Sequence, residues 1–207
     1  MCWMADQLSR EAGGVSATNC VAACRGIRMG IFVYVDNSNV WIEGQRVSAV
    51  ARNLAPDIVT AMTDHVLDTS WSYDFGRLYG LACPDDQLIG RSALFGSRPP
   101  PNDSLWHRAE DEGFEVFVHD RNAANREKKV DVHIATTMTE DSYEYMKPDR
   151  DIALLVAGDG DYVPVIQSLQ RRGIPVRCMF WAHASRELRE TCSEFFDLNP
   201  HLEFLAR

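Results

Sequence analysis

The sequence lacks any long apolar run: no stretch approaches the roughly 18 apolar residues that a membrane helix requires, so no membrane association is expected. It shows no secretory leader either, because Asp6, Arg10 and Glu11 interrupt its first residues. Basic residues are in deficit, with 21 Lys and Arg against 30 Asp and Glu and a formal net charge of −9. This deficit excludes a generally basic surface that coats nucleic acid, so a nucleic-acid substrate would need a local basic patch or a metal ion.

Several catalytic signatures are also missing. The six cysteines form no CxxC pair and have no histidine pair nearby at zinc spacing, which predicts reduced thiols in a cytoplasmic protein. No G-x-G-x-x-G and no P-loop follows a predicted strand, which argues against the usual NAD and ATP cradles. No nucleophile elbow is present, so Ser-His-Asp hydrolysis is unsupported.

What the sequence does contain is an alternation of strand and helix patterns. Apolar, β-branched runs predict strands at 31–35, 87–95, 114–118, 151–157 and 175–181, with a short sixth at 202–205. Helical patterns occur at 53–68, 74–81, 103–112, 129–145, 162–172 and 185–196. The alternation predicts an α/β three-layer sandwich, with helices on both faces of a mainly parallel sheet. Residues 1–28 carry little pattern and are expected to be a disordered extension of one domain spanning 29–207.

Acidic side chains follow the strands at the sheet edge where parallel sheets build their sites. Asp36 ends the first strand, Asp131 begins the helix that leads to the fourth, and Asp159 and Asp161 follow the fourth. Such carboxylates repel one another, and Mg²⁺ or Mn²⁺ removes that conflict. An ion of this kind lowers the pKa of a bound water and stabilises charge during phosphodiester hydrolysis. Each acid alone also has a local explanation as a turn or capping residue, so the prediction depends on the set.

A basic segment at 121–129 stands out in this acidic chain. It contains Arg121, Arg126, Lys128 and Lys129, and Ser97 with Arg98 follows the second strand. These residues are predicted to contact phosphates beside the acids, which would reconcile the net charge with a polyanionic substrate. The alternative is a solvated loop with a basic tip.

Four ordered motifs resemble the NYN domain family of the PIN-like nuclease superfamily. They are Val35–Asp36–Asn37–Ser38–Asn39, Phe95–Gly96–Ser97–Arg98–Pro99–Pro100 with Asn102–Asp103–Ser104, Lys128–Lys129–Val130–Asp131, and Ala157–Gly158–Asp159–Gly160–Asp161–Tyr162. The resemblance spans about 31–205. The segment from about 44 to 72 within it matches no motif, and residues 1–28 have no counterpart in the family pattern. It implies a metal-dependent ribonuclease that acts on RNA. The implied ligands of Mg²⁺ or Mn²⁺ are Asp36, Asp131, Asp159 and Asp161, and Asn37 and Asn39 would orient a ligand water or a phosphate.

Two other functions stay open at this point. One is a non-catalytic RNA-binding or scaffold module of the same fold, and the other is a metal-dependent phosphatase that acts on a small substrate. The sequence also leaves a homo-oligomer open. A surface role is the simpler interpretation for Glu43, a structural role for His133, and packing for Trp41, Trp106 and Trp181.

Overall fold

The computed structural model describes residues 29–84, 87–98, 104–120 and 128–207. In these residues six strands form one parallel sheet with the order β3-β2-β1-β4-β5-β6. The strands are β1 Gly30–Asp36, β2 Leu88–Arg98, β3 Glu115–Asp120, β4 Ile152–Val156, β5 Val176–Phe180 and β6 Glu194–Asp197. The predicted three-layer α/β sandwich is confirmed. The predicted extension at 1–28 lies outside the described residues.

Helices cover both faces of this sheet. One face carries α1 Asn37–Ala51, α2 Ile58–Thr63, α3 Phe75–Ala82, α4 Ser104–Asp111 and α8 Leu202–Leu205. The other carries α5 Lys128–Glu144, α6 Val163–Arg171 and α7 Arg186–Thr191. Alternate residues of β1 serve the two cores: Ile31 and Val33 belong to the first, and Phe32 and Tyr34 to the second. None of the helices in the described residues has both the length and the apolar character needed to cross a membrane.

Helix α1 is the main element that the sequence patterns did not predict. Its first residues look like a turn, but the Asp36 side chain accepts a hydrogen bond from the Asn39 backbone N–H at 3.0 Å and thereby caps the helix. Gly44 lies inside the helix, and this position requires glycine because a Cβ there would come within 2.3 Å of Trp71 and 2.7 Å of Trp181. This glycine therefore allows a close approach of the helix to two aromatic rings and does not end it.

The carboxyl-terminal prediction was wrong in two places. The helix predicted at 185–196 ends at Thr191, and the following residues form β6 at the edge of the sheet. The strand predicted at 202–205 is the short helix α8, in which Leu202 and Leu205 are both buried. A four-residue apolar run carries too little periodicity to separate the two structures, and the three-residue spacing of these leucines suits a helix.

The direction of chain growth in the sheet reverses at β1. The chain first adds β2 and β3 on one side of β1, and then returns to place β4, β5 and β6 on the other. Ligands of open α/β sheets bind beyond the carboxyl ends of the strands at such a switch point. Asp36 ends β1 and Asp159 follows β4, so both residues flank this position.

Candidate active site

A cleft of about 260 Å³ opens at the switch point. Four of the side chains that line it are acidic and one is basic. The lining residues are Asp36, Ser38, Asn39, Ile42, Glu43, Arg46, Ser97, Val130, Asp131 and Asp159. Three of the four predicted metal ligands therefore come together in one cleft, although they are separated widely in the sequence.

One tyrosine hydroxyl connects two of these acids. The Tyr162 hydroxyl lies 3.1 Å from Oδ2 of Asp36 and 3.0 Å from Oδ1 of Asp131. Tyr162 is 1% exposed and Asp36 is 5% exposed. Because a hydroxyl carries one proton, it cannot donate fully to both carboxylates at once. The arrangement thus holds two carboxylates close together with one proton shared between them.

The environment of Asp36 disfavours its negative charge. Burial raises the pKa of the Asp36 carboxyl to about 6, and the charge of Asp131 adds to the rise. The backbone N–H of Asn39 and the Tyr162 hydroxyl stabilise the ionised form and limit the shift. Burial, together with the two aspartates, also raises the pKa of Tyr162 far above its usual range, so this hydroxyl stays a proton donor.

The segment that carries the third acid, Asp159, is held by a contact with the first turn of α1. Asn39 Oδ1 accepts a hydrogen bond from the Gly158 backbone N–H at 2.9 Å, which joins the end of β1 to the end of β4. A Cβ at Gly158 would lie 2.1 Å from the Phe180 ring, so only glycine fits. Asp159 is exposed, and its Oδ1 accepts the Asp161 backbone N–H at 3.1 Å. Asp161 is exposed and does not line the cleft, so its role as a ligand stays a prediction.

The donor set fits a hard divalent cation that keeps much of its water. No group of three or more His, Cys, Asp and Glu side chains in the described part of the chain is close enough to enclose a metal. Mg²⁺, however, typically takes one or two protein carboxylates together with waters and substrate phosphates. The pair Asp36 and Asp131 supplies that number, and Asp159 lies on the same cleft.

The predicted RNA contacts are distributed unevenly. Ser97 and Asn39 line the cleft, and Lys129 is exposed on the first turn of α5. Asn37 does not line it: its side chain is buried and accepts a hydrogen bond from the Tyr73 hydroxyl at 2.6 Å, which makes it a support of α1. Arg121 and Arg126 lie outside the described residues, as do the side chains of Arg98 and Lys128.

A second network in the cleft wall was missed by the sequence analysis. One carboxylate oxygen of Glu43 accepts a hydrogen bond from His183 Nε2 at 2.7 Å, and the other oxygen accepts one from Arg46 Nη1. Burial raises the pKa of Glu43, but the bonds from His183 and Arg46 outweigh it and hold that pKa below its usual range. The spacing of Asn39, Glu43 and Arg46 on one face of a helix would have revealed this wall if α1 had been recognised.

His133 and two of the three tryptophans have structural roles. His133 Nδ1 lies 2.9 Å from His119 Nε2, and its ring meets Phe95 edge-on. Trp106 and Trp181 are buried, which confirms packing for both. Trp41 is 38% exposed.

Comparisons with known proteins agree with this fold. The sequence profile of the NYN domain matches residues 31–199, which is most of the chain and implies a nuclease-like fold. No curated protein matches the chain significantly. A solved structure of a protein of unknown function from Vibrio parahaemolyticus is similar, with a TM-score of 0.61 and 18% identity, over 84% of this chain and 94% of that one. At this identity the likeness shows the fold alone.

Proposed function

This chain belongs to the NYN domain family, and we propose that it is a ribonuclease that hydrolyses RNA phosphodiester bonds with Mg²⁺ or Mn²⁺. The observation that supports the proposal most strongly is the pair of carboxylates, Asp36 and Asp131, that share the Tyr162 hydroxyl in a cleft at the switch point. Two acids in this arrangement are stable together only when a proton or a cation offsets their repulsion. A nuclease would use that cation in the hydrolysis of a phosphodiester bond.

Asp36 and Asp131 would hold the ion, with Asp159 at the edge of the same cleft. When bound, the ion neutralises phosphate charge and lowers the pKa of water. Tyr162 keeps both carboxylates oriented through its hydroxyl, and Asn39 holds the loop of Asp159 in place. Ser97 lies on the same cleft, where its hydroxyl would contact a phosphate oxygen of the substrate.

The proposal is tested by cleavage of labelled single-stranded RNAs with added Mn²⁺. We expect Asp36→Asn and Asp159→Asn each to lower the cleavage rate by at least about 100-fold, because each removes a carboxylate from the cleft. Asp64→Asn is the matched control: Asp64 is an exposed acid at the end of α2 and does not line the cleft. Its variant should cleave at the wild-type rate.

Excess chelator should abolish cleavage and restored Mn²⁺ should recover it. Full activity in both cleft variants, or undiminished activity in chelator, would refute the mechanism. Binding of RNA without any product after long incubation would instead support a non-catalytic RNA-binding module. Turnover of an aryl phosphate monoester with RNA left intact would support a small-substrate phosphatase.

A further inference from the structure

The acidic cleft contains one cationic side chain, Arg46, to which the proposed reaction assigns no role. Among the residues that line the cleft in the described part of the chain, Arg46 is the only Lys, Arg or His. It stands with four acids, Asp36, Glu43, Asp131 and Asp159. A polyanionic substrate that enters this cleft would meet mostly like charge, so the position of the single guanidinium matters for where its phosphates can lie.

Arg46 is held by Glu43, which is itself held by a histidine. Its Nη1 donates to Glu43, and Glu43 in turn accepts from His183 at 2.7 Å. The side chains of Glu43, Arg46 and His183 are 14%, 17% and 11% exposed, so the network is largely shielded from solvent. A guanidinium fixed in this way loses little further conformational entropy when it binds a phosphate.

The guanidinium also has unused hydrogen-bonding capacity. Arg46 Nε is buried and has no acceptor among the described residues. A buried donor without a partner is costly, and a small shift of the side chain toward an anion in the cleft would supply one. Guanidinium groups bind phosphate oxygens through two parallel N–H donors, which suits such a shift.

The distance along α1 indicates which phosphate this is. Arg46 follows Asp36 by ten positions, which is a rise of about 15 Å along the helix axis, and long helical side chains point back toward the amino terminus. The guanidinium therefore lies toward the later turns of α1, while the carboxylate pair lies at the start of the helix, in the same cleft. A phosphate bound directly by the guanidinium therefore lies farther along the cleft than the carboxylate pair.

We infer that Arg46, positioned by Glu43 and His183, binds a phosphate that flanks the scissile one, and that the cleft therefore takes an RNA strand that extends past the reacting bond. This inference rests on the proposed function. It makes Arg46 a determinant of substrate length, because a substrate without a flanking phosphate gains nothing from it.

The first test is equilibrium binding of a short labelled single-stranded RNA, measured by fluorescence anisotropy in excess chelator so that nothing is cleaved. We expect Arg46→Gln to bind roughly 10- to 100-fold more weakly, as the loss of a charge-assisted contact predicts. The slope of log affinity against log salt should fall by about 0.7. Arg46→Lys, which keeps the charge, should retain most of the affinity. Arg171→Gln, an exposed cation at the end of α6, should bind like the wild type.

The second test separates substrate binding from a purely structural role. With Mn²⁺, Arg46→Gln should lower kcat/KM for RNA, mainly through KM, at least about 10-fold more than it lowers kcat/KM for bis(p-nitrophenyl) phosphate, since that diester has no flanking phosphate. Unaltered RNA binding by Arg46→Gln, equal losses on both substrates, or a wild type that does not bind RNA in chelator would overturn the inference. A wild type that binds RNA but never cleaves it would refute the proposed function and leave the binding test to decide on Arg46.

Discussion

Replacement of Asp36 by Asn should stabilise the metal-free protein at neutral pH. Asp36 is 5% exposed, and burial raises the pKa of its carboxyl from 3.8 to about 6. Asn has nearly the same shape and no charge. Its Oδ1 can accept the Asn39 N–H, and its Nδ2 can donate to the Tyr162 hydroxyl, whose own proton then goes to Asp131. The substitution thus removes a buried charge and keeps the hydrogen bonds.

The sign of the pH dependence follows from the direction of the shift. Because the pKa of Asp36 is higher in the folded than in the unfolded protein, its favourable contribution is complete below about pH 3.8 and is lost as pH rises through about 6. A difference of roughly two pKa units corresponds to about 3 kcal/mol of unfolding free energy. For a domain of this size that is a change in Tm of roughly 6 to 12 °C.

The assay is thermal unfolding of wild type and Asp36→Asn in chelator between pH 4.5 and pH 7.5. We expect the variant to have the higher Tm at pH 7.5, and the difference to shrink steadily toward pH 4.5. Added Mg²⁺ should raise the Tm of the wild type more than that of the variant, because a ligand that binds only the folded state stabilises it. In chelator Asp159→Asn is the control: the Asp159 side chain is exposed, so without Mg²⁺ the variant should follow the wild type.

Parallel pH profiles for wild type and Asp36→Asn would refute the reasoning. They would mean that the Asp36 carboxylate is fully hydrated or neutralised in some other way. The folded protein would then have no unfavourable negative charge at this position for a cation to offset. A metal at the carboxylate pair would then have no electrostatic basis, even if the fold were correct.

Three other substitutions test the architecture around the site. Tyr162→Phe removes the donor that serves both aspartates, so we expect the unfolding free energy to fall by about 1–3 kcal/mol in chemical denaturation and RNA cleavage to fall with it; unchanged stability would contradict a buried hydrogen bond. Gly44→Ala should destabilise the protein by about 1–3 kcal/mol, seen as a lower Tm, because the added methyl group meets two tryptophan rings. Asn39→Ala breaks the bond to the Gly158 backbone, so RNA cleavage should decrease while the far-ultraviolet circular dichroism stays that of the wild type.

The sheet was predictable because its strands are buried on both faces. The central strands β1 and β4 are apolar along almost their whole length, and such runs stand out without knowledge of their neighbours. The predicted positions of Asp36 and Asp159 followed from these strands, since a residue that ends a parallel strand must lie at the site edge. The prediction that Asp131 joins them depended on the same topology and agrees with its contact to Tyr162.

The helix after β1 was not predictable from local pattern. Its start is a cap made by Asp36, a residue with a second use in the cleft, and its middle contains a glycine that only the packing against Trp71 and Trp181 explains. A residue whose role depends on tertiary contacts does not contribute to the hydrophobic periodicity from which a helix is predicted. Because α1 was missed, the wall formed by Glu43 and Arg46 was missed as well.

The same carboxylate of Asp36 caps α1 and faces Asp131, and the two roles oppose each other. The cap and the helix dipole favour the ionised form, while burial and the neighbouring acid favour the protonated form. The Asp36 carboxylate is thus held rigidly at the start of α1, but no neighbouring group in the described residues neutralises its charge fully. A chain that only needed a stable turn would place an exposed Asp or Ser at this cap. Under the proposed function, a cation bound at the site would account for the buried position, because its positive charge would make both roles favourable together.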